Sequence, residues 1–283
     1  MSLADARYLV RDAWKRGYGI PAYDTVNMDI MQWVVEVAEE KNSPVFLMYL
    51  EGFKESISIQ DFAKAARIVA EGATVPVVIH LDHSRNIELI KEAIDAGFTS
   101  VMYDGSSLPY EENLKNTKEA AEYAHAHNIP IEAELGHVGV GMNREDFVSD
   151  AMYTDPEQAK NFVKETGIDY LAVAIGNSHG VYIETPHLDI PRLEKLNAAA
   201  GVPLVLHGTS LIPEDQVSDA VRHGICKVNI ATEFYISMIK AVKEIATQDI
   251  QPADGFMLLH DRIRPECQKY LREKFDLLQN VGK

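Results

Sequence analysis

The sequence predicts an α/β protein, a (β/α)8 barrel, and three observations predict it. Eight short apolar runs rich in Val, Ile and Leu recur along the chain, and amphipathic stretches with helix start and stop signals separate them. The length of 283 residues is slightly more than the about 250 that one such barrel takes. Apolar runs without polar alternation suit strands covered on both faces, as in a parallel sheet wrapped by helices.

The first run, residues 19–23, leads into a helical pattern over 29–41. The second, 45–49, precedes Ser58-Ile59-Gln60-Asp61, a Ser-x-x-Asp cap whose hydroxyl and carboxylate satisfy free amide groups at the start of a helix over 62–72. After the third run, 77–81, Asn86 opens a helix over 87–96 that Gly97 stops, since glycine takes the left-handed conformation of a helix end. The fourth run, 100–102, is followed by a helix over 110–128, and the fifth is 129–134. Residues 136–154, with Gly139, Gly141, Asn143 and mixed charges, are too many for a simple connection and are expected to form an active-site lid. Asp155-Pro156-Glu157 then starts a helix that ends near Gly167. The sixth run, 171–174, precedes a helix over 188–200 ending at Gly201. The seventh, 204–206, precedes a helix from Pro213-Glu214 to near Gly224, and the eighth is 227–230. A helical stretch over 262–278 completes the pattern. A doubly wound open sheet would need five or six strands and a glycine-rich first turn, and Ala22-Tyr23-Asp24-Thr25-Val26-Asn27 has no glycine. No linker or shift of composition divides residues 1–283, so one domain is expected.

Composition narrows the function. With 27 Lys+Arg against 43 Asp+Glu the net charge is −16, and no basic cluster exceeds a pair such as Lys15-Arg16. Nucleic acid and anionic membrane are therefore poor partners. Two cysteines, Cys226 and Cys267, make no disulfide framework and fit a reducing cytoplasm. No apolar stretch is long enough to span a membrane, and Met1-Ser2-Leu3-Ala4-Asp5-Ala6-Arg7 has no signal core, so a cytoplasmic location is expected.

In a barrel, chemistry gathers where the C-terminal strand ends emerge. There the sequence places Asp82 and His83 after the third run, Asp104 after the fourth, Glu134 and then His137 at the fifth. Ile175-Gly176-Asn177-Ser178-His179-Gly180 follows the sixth, His207-Gly208-Thr209-Ser210 the seventh, and Asn229-Ile230-Ala231-Thr232 lies at the eighth. A lone histidine at a strand end is usually a hydrogen-bonded structural residue; three at matching ends, His83, His179 and His207, suggest a catalytic zinc site with one open position. The other seven histidines, such as His125, His127 and His223, are expected at the surface. Gly180, Gly208, Thr209 and Ser210, with Asn229, Ile230, Ala231 and Thr232, offer backbone N–H groups to an oxyanion, although ordinary tight turns also use such glycines.

Together, Leu81-Asp82-His83, Glu132-Ala133-Glu134-Leu135-Gly136, Tyr153-Thr154-Asp155-Pro156, the Asn177-Ser178-His179-Gly180 turn, Leu206-His207-Gly208 and Lys227-Val228-Asn229-Ile230-Ala231-Thr232-Glu233 resemble the class II, zinc-dependent ketose-bisphosphate aldolases. The Ala231-Thr232-Glu233 ending is similar to the tagatose-bisphosphate branch. The resemblance implies His83, His179 and His207 as zinc ligands, with Asp104 and Glu134 able to serve a second metal position. It implies Asp82 as catalytic acid/base, Asn229 beside a zinc-stabilised enediolate, and the glycine and Asn229 segments around the phosphate of dihydroxyacetone phosphate, with a monovalent cation near that phosphate. It also implies a carbon-proton base on the lid, for which Glu145 or Asp146 is the candidate, and a homodimer or homotetramer, with Trp14, Trp33 and residues 262–278 as interface or core.

The departures point to an altered aldehyde half. Gly208-Thr209-Ser210-Leu211 stands where the family commonly has a second glycine after the serine, and the loss of that glycine is expected to reshape the turn. Tyr23-Asp24-Thr25 replaces a Phe-Asn start, and Met48-Tyr49-Leu50 is apolar where polar residues are usual. Leu258-Leu259-His260-Asp261-Arg262 replaces the arginine segment that meets a distal phosphate, leaving Arg262 or Arg264 as substitutes. The expected reaction is cleavage of a ketose 1-phosphate or 1,6-bisphosphate into dihydroxyacetone phosphate and an aldehyde. Two alternatives stand beside it: a Schiff-base aldolase using Lys227, which shares inward parity with Asn229, and a non-catalytic subunit that stabilises a partner aldolase.

Overall fold

The computed structural model describes residues 2–139, 152–247 and 252–283, with backbone alone over 252–259. Its centre is a closed barrel of eight parallel strands: β1 (Ile20–Asp24), β2 (Val45–Leu50), β3 (Val77–Ser84), β4 (Ser100–Tyr103), β5 (Ile131–Leu135), β6 (Tyr170–Val173), β7 (Leu204–Leu206) and β8 (Ile225–Ile230). Each strand pairs with the next, and β8 closes on β1 through Ile20–Lys227 and Ala22–Asn229. All eight expected runs are strands; the last begins two residues earlier than its apolar pattern suggests, because a bulge between Leu204 and Val205 lets Cys226 face the barrel floor.

Helices follow every strand: α2 (Met28–Lys41), α3 (Ile59–Gly72), α4 (Ile87–Ala96), α5 (Tyr110–Ala126), α6 (Pro156–Thr166), α7 (Ile190–Ala200), α8 (Glu214–Arg222) and α9 (Thr232–Ala246). Their starts obey the capping chemistry read from the sequence. Ser58, Asn86 and Asp155 each accept an amide N–H of the first turn, as does Asn27, which the sequence reading did not name as a cap, and Gly97, Gly167 and Gly201 end helices in the left-handed conformation.

Two further helices flank the eight units. The first, α1 (Ala6–Arg16), closes the barrel floor: its Ala6, Val10 and Ala13 pack with Ile20, Phe46, Val78, Tyr170 and Cys226. Leu3 bridges to Val77 beside it. The last, α10 (Pro252–Leu277), lies across α9 and α2, where Phe275 and Phe234 sandwich Tyr23 of β1. Among the described residues no helix is long and apolar enough to cross a membrane.

Candidate active site

The interior of the barrel changes character with height. Above the apolar floor lies a buried polar layer of His80, Ser100, Glu132 and Lys227. His80 is therefore not at the surface, as expected of it, but fully enclosed; its Nδ1 pairs with the Ser100 hydroxyl at 2.8 Å. The reason is strand parity, since His80 points inward two residues before Asp82. Above this layer a cavity of about 550 Å3 opens at the C-terminal strand ends, lined by Asp82, His83, Asp104, His179, Gly180, Gly208, Ser210, Asn229, Ala231 and Thr232.

Neighbouring strand residues ordinarily face opposite sides, yet Asp82 and His83 both reach this cavity. The register of β3 against β4 shifts between Leu81 and Ser84, and His83 takes a left-handed φ of 47°. A bulge thus turns the imidazole toward the mouth; such strain in a non-glycine residue costs on the order of 1–3 kcal/mol and gathers at functional sites.

The rings of His83 and His207 stand 4.6 Å apart and those of His83 and His179 4.8 Å apart. Each has one nitrogen against a protein acceptor: His83 Nδ1 on Asp104 at 2.9 Å, His179 Nδ1 on the Val138 carbonyl at 3.1 Å, His207 Nε2 on Glu132 at 2.7 Å. The opposite nitrogens converge, with His83 Nε2 and His207 Nδ1 at 2.8 Å. Two imidazole lone pairs at that separation need a proton or a cation between them, and the three histidines have the spacing to hold a metal ion. A second group, His83, Asp104 and Glu134, has it too.

The electrostatics agree with that arrangement. Burial opposes charge on His83, but Asp82, Asp104 and Glu134 outweigh it and push the ring up to about 10. Burial and then the His83 charge hold His207 well below the usual range, and the same causes bring His179 down to about 3. Asp104 is held low against its burial by His83 and Ser106. Burial, reinforced by Asp104, raises Glu134 to about 8; its Oε2 is enclosed without a hydrogen-bond partner among the described residues.

The loops that carry these groups are tied together. Asn177 donates to the His207 carbonyl at 3.0 Å, and the Tyr182 hydroxyl accepts from Ser178 N and donates to the Gly208 carbonyl, each at 2.7 Å. Gly208, at φ 60°, passes so close to Ser178 that a Cβ would run into its carbonyl. Leu211, which stands where the family commonly has glycine, adopts φ 66°, a left-handed conformation that strains a residue with a side chain.

Asp82 accepts from Asn229 Nδ2 at 3.1 Å. Ser210 lines the cavity while its Oγ accepts from Glu233 N at 3.0 Å in the first turn of α9; Thr232, which starts that helix, and Ala231 before it also line the cavity. Thr209 and Ile230 turn their side chains away: the Thr209 hydroxyl donates to the Asn229 carbonyl at 2.5 Å, and Ile230 packs in the core. Neither residue lines the cavity. Arg264 pairs with Glu36 on α2 at 2.7 Å and Arg262 lines a separate surface pocket, so neither lines this cavity. Arg85 is the one Lys or Arg side chain lining it among the described residues. Most of the expected lid and both base candidates, Glu145 and Asp146, fall outside the described residues. Sequence reading gave no role to Glu132, although it stands in the Glu132-Ala133-Glu134 motif, nor to Arg85, two residues after His83, nor to the Val138 carbonyl.

Residues 4–283 match the family model described as fructose-bisphosphate aldolase class-II. Over 281 residues the chain is 42% identical to the uncharacterized protein YdjI of Escherichia coli K12, spanning 99% of both. The crystal structure of that YdjI aldolase superimposes with a TM-score of 0.89 at 39% identity, covering 99% of this chain and 98% of that one. A putative fructose-1,6-biphosphate aldolase from Coccidioides immitis gives 0.86 at 31%, covering 98% and 97%. Fructose-bisphosphate aldolase from Campylobacter jejuni gives 0.82 at 22%, covering 98% and 95%, a likeness of fold.

Proposed function

As a member of the class II fructose-bisphosphate aldolase family the chain is an aldolase, a lyase that breaks a carbon–carbon bond, and we propose that it cleaves a ketose 1-phosphate into dihydroxyacetone phosphate and an aldehyde. The observation that carries this reading is the convergence of His83, His179 and His207, each with its outer nitrogen already bound to a protein acceptor. In our reading the ion is zinc, which when bound polarises the ketose carbonyl as a Lewis acid. His83, His179 and His207 hold it, and Asp104 and Glu134 offer it a second position.

The remaining steps belong to the chain's own side chains. Asp82, buried at the cavity wall and steadied by Asn229, removes the hydroxyl proton beside the bond to be broken. That bond then cleaves, the aldehyde departs, and the electron pair left on the three-carbon fragment is quenched by a proton before release. The Asn229 amide hydrogen-bonds that fragment. Its phosphate sits against backbone N–H groups of Gly180, Gly208, Ser210, Ala231 and Thr232, which line the cavity, with Thr209 and Ile230 next to them in sequence; there the α9 N-terminus favours negative charge and a monovalent cation assists. Residues 136–154 act as the lid, with Glu145 or Asp146 exchanging the carbon proton.

The far wall of the cavity is made by Asp24, Leu50, Glu51, Phe53 and Arg85. Burial and then the charge of Asp82 push the Asp24 carboxyl well above the usual range, and its Oδ1 has no partner among the described residues. This wall suits a hydroxylated end better than a second phosphate. Lys227 does not favour the Schiff-base alternative: its amine is fully buried below the cavity in an ion pair of 2.7 Å with Glu132. The retained ligand set likewise speaks against a non-catalytic subunit. We further read the enzyme as a cytoplasmic homodimer or homotetramer; Trp33 is core, and Trp14 is half-buried with its indole donating to Asn197 at 2.7 Å.

A retro-aldol assay comparing fructose and tagatose 1,6-bisphosphates with ketose 1-phosphates tests the reading. Cleavage of 1-phosphates that a chelator abolishes and zinc restores is expected. Strong preference for bisphosphates, or activity indifferent to the chelator, would contradict it.

A further inference from the structure

Directly beneath the histidines lies an ion pair that the reaction does not touch. Lys227 Nζ is 2.7 Å from Glu132 Oε2 and 3.5 Å from His80 Nε2, and it sits 5.4 Å from the Phe46 ring centre. The other oxygen of the same carboxylate, Oε1, is 2.7 Å from His207 Nε2. Neither Lys227 nor Glu132 has measurable exposure. Taking two charges out of water costs more than their attraction commonly returns, and well-packed apolar residues often serve stability as well or better. The pair therefore asks for a use beyond holding the barrel together, and its geometry supplies one.

The three imidazoles are oriented by different means. Asp104, which holds His83, is itself satisfied by two bonds from Ser106, and the Val138 carbonyl, which holds His179, is neutral. Among the described residues Glu132 takes its one hydrogen bond besides His207 from Lys227, with His80 Nε2 3.7 Å from Oε2; Asn229 Nδ2 also approaches His207 Nε2 to 3.2 Å. We infer that Lys227 and Glu132 are positioning residues: the pair keeps the Glu132 carboxylate against His207 Nε2, so that the ring keeps its proton on Nε2 and presents Nδ1 to the cavity. His80, anchored on Ser100 and through it on Tyr170, stands beside both partners, its Nε2 3.5 Å from Lys227 Nζ and 3.7 Å from Glu132 Oε2, and limits where the ammonium can go. A carboxylate behind a ligand histidine fixes the tautomer and sharpens ligand strength, and loss of such a partner typically weakens metal binding by about 10–100-fold.

The inference rests on the reading of the three histidines as a metal site, and the experiment separates the two. Lys227→Met combined with Glu132→Gln removes both charges at similar volume. Divalent zinc binding is measured by chelator competition, and thermal unfolding of the metal-free proteins is followed in parallel. The double variant is expected to unfold near the wild-type temperature while its zinc dissociation constant rises about 10–100-fold. Equal affinity in variant and wild type overturns the inference alone; a wild type that takes up no zinc overturns the site reading and the inference with it. Should the variant not fold, long-range nitrogen–proton NMR of the zinc-loaded wild type decides. Protonated Nε2 and metal-bound Nδ1 at His207 support the inference, and the reverse tautomer overturns it.

Discussion

His83 links the charge of the site to its occupancy. In the metal-free protein its ring lies at about 10, because Asp82, Asp104 and Glu134 overcome its burial. At pH 7 it therefore carries a proton, and that proton must leave before the nitrogen can hold an ion. The direction follows: below about 10, each unit of falling pH lowers apparent metal affinity by about tenfold. Calorimetric titration of the metal-free protein in buffers of different ionisation heat is expected to show release of close to one proton per ion at pH 7, and release of none would contradict the assignment. Residues of this kind were legible in sequence because they follow an apolar run, His83 and His207 within two residues of its end and His179 in the glycine-containing turn beyond it. His80 and Glu132 were not, since they lie within runs whose parity looks the same for a core residue and a buried polar one.

At the scale of elements, the site depends on turns meeting at fixed separations. The β7 turn rests on the β6 turn at Gly208, where φ is 60° and a side chain would strike the Ser178 carbonyl. Gly208→Ala is expected to cost about 1–2 kcal/mol for the left-handed backbone alone, plus whatever shift the clash forces on the neighbouring His179 and His207. Thermal unfolding with and without zinc checks this: the variant should unfold earlier and gain less from the metal. Strand ends and caps were readable because each rests on a local rule, such as Ser58 accepting from Asp61 N at 3.1 Å. The floor helix α1 escaped notice although Asp5 caps its start and Gly17 ends it, because it precedes the first apolar run and so stands outside the alternation of strand and helix. The bulge in β3 escaped as well, since nothing in Leu81-Asp82-His83-Ser84 announces that two adjacent residues share a face.

For the whole molecule, the ring of helices is completed by α10, which fills the space between α9 and α2. Phe275 is fully buried there against Tyr23, and Arg264, Arg272 and Lys41 tie the seam with ion pairs on its outer side. Phe275→Ala is expected to destabilise the fold by about 3–5 kcal/mol, whereas Arg272→Ala should cost about 0–1 kcal/mol; denaturant unfolding of the two variants distinguishes a seam held by packing from one held by charge. The sealed floor has a practical consequence. Leu3 lies beside the start of β3, Leu278 accepts from Gly19 at the start of β1, and Gly282 donates to Lys41 just before β2. Both of these segments thus emerge on the face opposite the mouth, so a surface tether, an affinity handle or a fused reporter attached at either one points away from incoming sugar and leaves its doorway clear.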